Sequence, residues 1–200
     1  RKKFLSRLDI EEGELVRCRL ARGSKVAVVD EAAGGKVVEG VDGLVSGSPY
    51  IFLSVSGADC FPVFFSDTKN HVVGIAHCGW RGIAADIVAE VVRLMKEEFH
   101  SNLTDIKIKV GPGIRECHFE VQSDLVRTFA AYPRAILSRE GKTFISLPSV
   151  IKTQLIAIGI PEIAIGFGTE CTACLNKKYF SYRREKNVDL IMLAIIGWRS

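Results

Sequence analysis

The chain has 200 residues, 48% hydrophobic and 25% charged, which suits one domain able to bury a full core. Its formal charge of +4 is spread along the chain; the densest basic cluster, KKYFSYRREK, is too short to argue for nucleic acid alone, and a small anion such as phosphate fits the excess at least as well. No apolar run approaches the roughly 20 residues of a membrane span, and that excludes a spanning helix.

The opening segment RKKFLSRLDIEEGELVR is charged and has no signal-peptide core. Six cysteines (Cys18, Cys60, Cys78, Cys117, Cys171 and Cys174) are unevenly spaced in a chain long enough to need no staples. Free thiols in a reducing cytoplasm are the expectation.

In chain order, Lys25–Val29 reads as a strand, followed by strands in GLVSG and YIFLSV with a Ser-Gly-Ser-Pro turn between them. FPVFF and VVGIAH form the arms of a hairpin. The segment RGIAADIVAEVVRLMKEEFH predicts one helix, with Ile83, Ile87, Val88, Val91, Met95 and Phe99 on a single face. DIKIKVG alternates as a strand. SDLVRTFAAY predicts a short helix capped by Ser123, and LPSVIKTQLIAIGI a helix with Pro148 in its first turn. KTFISL, EIAIGFG, YFSYR and DLIMLAIIGW read as strands. Interleaved helices and tightly joined strands predict an α/β domain of mixed sheets with helices packed outside, not a doubly wound parallel sheet.

The hairpin ADCFPVFFSDTKNHVVGIAHCGWRG carries the chemistry. If Thr68 and Lys69 centre its turn, Asp67 faces Asn70, Phe65 faces Val72, and Cys60 faces His77. Facing side chains have Cβ atoms about 5 Å apart, close enough to share a metal ion or a proton. Pro62 predicts that the first arm is an edge strand or begins irregularly. After His77, Gly79-Trp80-Arg81-Gly82 allows a tight turn into a helix. The helix N–H groups and Arg81 would then form an anion pocket.

SGADCFPVFF, AHCGWRG, KVGPGIRECHFEV and YFSYRR, together with GVDGLVS, resemble in order the blocks of the YfiH-like family. Its members are also called laccase-domain or polyphenol oxidoreductase proteins, and purine nucleoside phosphorylases. The likeness runs through essentially the whole chain. It implies one α/β domain, residues 1–200, lacking the usual N-terminal segment. It also implies phosphorolysis of adenosine, inosine and methylthioadenosine to free base and ribose 1-phosphate, with adenosine deamination, at a zinc site. The implied partners are purine nucleosides and phosphate, with no nucleic acid and no membrane; oligomeric state stays open.

Two family zinc ligands map onto Cys60 and His77. The third, a histidine in a QVHG-like block, falls on Arg22 in Leu20-Ala21-Arg22-Gly23, and arginine cannot ligate zinc. His118 is the candidate third ligand; Cys117 and Asp59 are alternatives. Metal-free chemistry by a Cys60–His77 thiolate–imidazolium pair, with Arg22 holding an anion, is a second route. Loss of activity, leaving a nucleoside-binding protein, is a third. A weakened or lost metal site is favoured over rescue.

On the family reading, Arg81 holds phosphate together with Arg183 or Arg184, of which strand alternation lets only one face inward, Tyr182 or Phe180 lies near the base, and Asp59 moves a proton or caps a turn. A copper-dependent phenol oxidase fits poorly, because four histidines are too few for a multicopper cluster, although copper can enter a Cys–His site in vitro. A Cys–His hydrolase needs no metal. The pair Cys171 and Cys174 reads as structural, with an incidental disulfide left open.

Overall fold

The computed structural model describes residues 2–187 and 189–199. Helix α1 (Lys2–Arg7) precedes strands β1 (Leu15–Arg19), β2 (Val26–Val28), β3 (Val37–Glu39), β4 (Gly43–Ser46) and β5 (Phe52–Gly57). The hairpin arms are β6 (Phe61–Asp67) and β7 (Val72–Cys78), followed by helices α2 (Trp80–Ala84) and α3 (Ile87–Phe99) and strand β8 (Ile106–Val110). Next come β9 (Glu120–Val121), α4 (Ser123–Thr128), β10 (Ile136–Arg139), β11 (Lys142–Ile145) and α5 (Leu147–Ala157). Strand β12 (Ile165–Phe167), helix α6 (Tyr182–Glu185) and strand β13 (Met192–Ile196) complete the order.

A six-stranded sheet, β12-β8-β6-β7-β4-β2, forms the centre; a four-stranded sheet, β13-β5-β1-β3, covers one face of it. Both are mixed, as the interleaved pattern predicts: β8, β6, β7 and β4 pair antiparallel, whereas β12 joins β8 and β2 joins β4 in parallel. Strict alternation along β7 makes both layers possible. Val73 and Ile75 enter the core between the two sheets, with Leu53 and Val55. Val72 and Ala76 enter the core beneath α3 and α5, with Phe65. His77 falls in phase with Val73 and Ile75, at the end of the seam between the sheets.

On the other face, α3 buries Ile87, Val88, Val91, Val92, Leu94 and Met95. That is the predicted stripe, broadened by Val92 and Leu94; Phe99 is only half-buried. Full burial of a side chain such as Ile87 or Met95 contributes roughly 2–3 kcal/mol.

Several local expectations need correction. The register of the hairpin is offset by two residues: Asp67 faces Val72, Phe65 faces Gly74, and Pro62, not Cys60, faces His77. The cause is the turn. Asp67 Oδ1 accepts the N–H groups of Lys69 at 3.0 Å and Asn70 at 3.2 Å, while Oδ2 accepts Asn70 Nδ2 at 2.9 Å. This holds Thr68 to His71 as a four-residue loop, which His71 closes with a φ of 55°. An offset of two keeps every side chain on its predicted face.

Strand β6 is also not an edge, since it lies between β7 and β8, but it does begin irregularly: a bend with Asp59 at a φ of 80° precedes it, and Pro62, at its second position, comes before the ladder to β8 starts at Val63. The single long helix is two, α2 and α3, broken where Asp86 takes a left-handed φ of 58°. Ser123 does not cap α4; Gln122 is its cap residue and makes no side-chain cap bond. YFSYR is not a strand, because Tyr182 and Arg183 begin α6.

Candidate functional site

Three chain segments meet at the end of the inter-sheet seam. The bend before β6 supplies Cys60, the end of β7 supplies His77, and the turn before β4 supplies Asp42. A Cβ added to Gly79 would lie 3.1 Å from Cys60 Sγ and 3.3 Å from His77 Cε1, so the two side chains meet over this glycine. Any other residue there would fill the space that they share. Gly82 has a parallel reason: its Cβ would stand 2.8 Å from the Gly23 carbonyl oxygen, so only glycine lets α2 pack on the Arg22–Gly23 turn.

Asp42 is fully buried and ties this corner together. Its Oδ1 accepts the Arg22 N–H at 2.9 Å and its Oδ2 the Gly23 N–H at 2.8 Å. Its carbonyl accepts the His77 N–H at 2.7 Å, and Oδ1 lies 3.6 Å from His77 Nδ1. At 3.6 Å this is an ion-pair contact, not a tight hydrogen bond. Burial alone would raise the Asp42 carboxyl pKa, but the contact with His77 and the two backbone N–H groups hold it below its usual range.

Burial alone would likewise push His77 down. Its contacts with Asp42 and Cys60 outweigh that, and its pKa is raised to about 9. The neighbouring thiols Cys18 and Cys78 are pushed up, first by burial and then by nearby charge, Cys18 to about 12. Sequence reasoning missed Asp42; its one signal was a carboxylate flanked by glycines in GVDGLVS.

Asp59 is buried at a left-handed φ of 80°. Its Oδ1 accepts Thr172 Oγ1 at 2.6 Å and its Oδ2 the Arg183 N–H at 2.6 Å, so each oxygen already has a donor. Both donors are distant in sequence, a hydroxyl and the N–H of a helix's first turn. Asp59 thereby places the start of α6 beside Cys60. The Arg183 guanidinium donates to the carbonyls of His118 at 2.7 Å and Glu120 at 3.2 Å. Arg184 donates to the carbonyls of Thr172, Ala173 and Tyr179. Strand alternation cannot choose between these arginines, because the segment is helical. Arg81 is exposed, with its guanidinium 4.1 Å over the Trp80 ring, and the Tyr182 ring is half exposed.

His118 is brought together with other partners. Its Nδ1 lies 3.3 Å from Cys117 Sγ and 3.4 Å from Cys174 Sγ, and the two sulfurs are 3.6 Å apart. With Cys171 these residues place four ligand atoms within 4.8 Å of one another, a cluster able to hold a metal ion. The Cys171–Cys174 pair is therefore part of a four-residue group, not an isolated structural motif. Burial alone would raise the Cys171 thiol, but N–H donors from Arg115, Cys174 and Ala173, with Cys117, lower it. Cys117 is pushed up to about 12, by burial first. By contrast, among the described residues no third His, Cys or carboxylate joins Cys60 and His77 in a group whose ligand atoms all lie within 4.8 Å of one another; Asp42 Oδ1 is 3.6 Å from His77 Nδ1 but already accepts the Arg22 N–H. They fall one donor short of a three-ligand zinc site. The Arg22 backbone is held in a left-handed turn by Asp42.

The family model described as multi-copper polyphenol oxidoreductase laccase matches residues 1–199. The chain belongs to this family. Among the curated relatives of this laccase-domain protein is purine nucleoside phosphorylase YlmD of Geobacillus stearothermophilus, 31% identical over 197 residues, covering 92% of this chain and 72% of the relative. Adenosine deaminase RL5, from an unknown prokaryotic organism, is 30% identical over 190 residues, covering 88% and 72%. The crystal structure of the Bacillus licheniformis hypothetical protein YfiH superposes with a TM-score of 0.94 at 29% identity, over 99% of this chain and 79% of that one. The mixed α/β fold of the laccase-domain family is thus the fold of this chain. No helix among its described residues is long and apolar enough to cross a membrane.

Proposed function

We propose that this chain is a purine nucleoside enzyme whose reaction centre is the Cys60–His77–Asp42 unit. The observation that carries the reading is the meeting of the Cys60 thiol and the His77 ring over Gly79, with Asp42 behind the ring. The names of the relatives, purine nucleoside phosphorylase and adenosine deaminase, supply the substrate class.

The reaction proposed is phosphorolysis of adenosine, inosine or methylthioadenosine. A phosphate oxygen bonds the anomeric carbon as the C–N bond to the base breaks, giving free base and ribose 1-phosphate. Charge then develops on the departing purine. His77, with a pKa raised to about 9, is protonated at neutral pH and is the group to donate a hydrogen bond or proton there. Asp42 fixes its ring and stabilises its charge. The exposed guanidinium of Arg81 is the freer phosphate ligand, since Arg183 already binds two carbonyls. The exposed Tyr182 ring offers a stacking surface for the base. Asp59 positions α6 against the Cys60 bend and is assigned no proton transfer. Deamination calls for an activated water, which a zinc centre supplies; the donor set here is one ligand short of that.

Incubation with adenosine and phosphate, with and without a chelator, tests the reading by chromatography. Adenine with ribose 1-phosphate, lost in Cys60→Ala, supports it. A second reading, a nucleoside-binding protein without turnover, is favoured by Arg22 at the ligand position. Tight adenosine binding with no product would select it.

A further inference from the structure

We propose that Cys117, His118, Cys171 and Cys174 form a structural zinc site, separate from the Cys60–His77 centre, that pins the 111–119 loop to the 171–174 loop. The donor set is three thiols and one imidazole, one of the closed four-protein-ligand sets of structural zinc. The spacing matches. With Zn–S near 2.3 Å and Zn–N near 2.0–2.1 Å, a tetrahedron needs sulfurs about 3.8 Å apart and sulfur–nitrogen distances of about 3.5 Å. The observed separations are 3.6 Å for Cys117 and Cys174, and 3.3 and 3.4 Å from His118 Nδ1 to those two sulfurs. All four ligand atoms lie within 4.8 Å. Two ligands come from a C-x-x-C turn and two from adjacent residues more than 50 positions earlier, so the ion would close a non-local link.

The surroundings suit a metal as well. The Arg115 N–H points at Cys171 Sγ at 3.4 Å, the kind of outer contact that orients a thiolate ligand. Gly113 and Cys171 form an isolated bridge, and the Thr172 N–H donates to the Gly113 carbonyl at 3.1 Å, so the backbones of the two loops are already in register. The Arg183 guanidinium on the His118 carbonyl adds positive charge beside a site that totals −1 once three thiols release their protons to solvent and Zn²⁺ enters. With all four positions filled by protein, this ion activates no water. Its effect is mechanical. Thr172 sits between the two C-x-x-C ligands and holds Asp59, the neighbour of Cys60.

Cobalt titration of the full chain carrying Cys60→Ala and His77→Ala isolates this site from the Cys60–His77 centre, whose two donors are gone. One equivalent of Co²⁺ should give thiolate charge-transfer bands and the intense visible bands of tetrahedral cobalt, displaced by zinc. Adding Cys174→Ser, an exposed position, should lower the affinity about 100-fold or more, with the fold checked by circular dichroism. Zinc should also slow proteolysis within 171–174. The proposal is overturned if cobalt does not bind, if its spectrum is octahedral, if Cys174→Ser leaves it unchanged, or if Cys117 and Cys174 form a disulfide under reducing, zinc-replete conditions. These readouts need no turnover, so loss of the nucleoside reading would leave them interpretable.

Discussion

Asp42 holds His77 twice, through its carbonyl on the His77 N–H at 2.7 Å and through its carboxylate 3.6 Å from Nδ1. The same carboxylate accepts two backbone N–H groups from the Arg22–Gly23 turn. One buried residue therefore helps to raise the pKa of the imidazole and also holds the backbone of Arg22 and Gly23.

Asp42→Asn removes the charge and, because an amide nitrogen cannot accept, also leaves one of the Arg22 and Gly23 N–H groups without its acceptor. We expect the His77 pKa to fall from about 9, and kcat to drop about 10- to 100-fold with KM little changed. NMR titration of the imidazole, alongside steady-state kinetics, checks both. An unaltered titration would mean that Asp42 does not govern His77.

Stability of the metal-free protein should depend on pH through His77. Its folded-state pKa lies above the ordinary 6.5, so its contribution is fully present below about 6.5 and is lost as pH rises through about 9. The shift corresponds to about 3 kcal/mol. Urea unfolding at the two ends of that window, on the native chain and on His77→Gln, reads it; the variant should show a much flatter dependence.

Arg22→His would supply the missing donor. If Arg22 occupies the third ligand place, zinc affinity at the Cys60–His77 centre should rise about 100-fold, measured in a Cys174→Ser background so that the second cluster does not compete. Unchanged affinity would mean that the centre is not completed from this turn.

Thr172→Val removes the 2.6 Å hydrogen bond to the buried Asp59 carboxylate. A loss of about 1.5–3 kcal/mol in unfolding free energy is expected, as for a hydrogen bond to a charged group. Double substitution with Asp59→Ala should cost less than the sum of the single changes, because both remove this bond, while Asp59→Ala also removes the acceptor of the Arg183 N–H.

Much of this architecture was legible from local patterning. The period-2 alternation of IKIKV gave β8, and the 3.6-residue stripe through Val88, Val91 and Met95 gave α3. The break at Asp86 was hidden because the chain turns there without proline or glycine, using a left-handed aspartate. The hairpin register is two residues off because Asp67 pairs with Val72 and its carboxylate holds the four-residue loop 68–71. YFSYR has strand-like aromatics, but Ser181 Oγ accepts the Arg184 N–H and starts a helix instead. That the Cys60 and His77 side chains lie close could be seen because both belong to one hairpin, although the register expected to pair them is two residues off. Asp42, and the joining of Cys117 and His118 to Cys171 and Cys174, depend on contacts between distant segments, which periodicity does not encode.

The central claim is that Cys60 and His77 act as one unit on purine nucleosides. Its most direct measurement is kcat/KM for adenosine with phosphate in the native chain, in Cys60→Ala, in His77→Ala and in the double variant. The account predicts that each single change costs about 10³-fold or more and that the double is scarcely worse than either. Native-level turnover in Cys60→Ala, or losses that simply multiply, would contradict it.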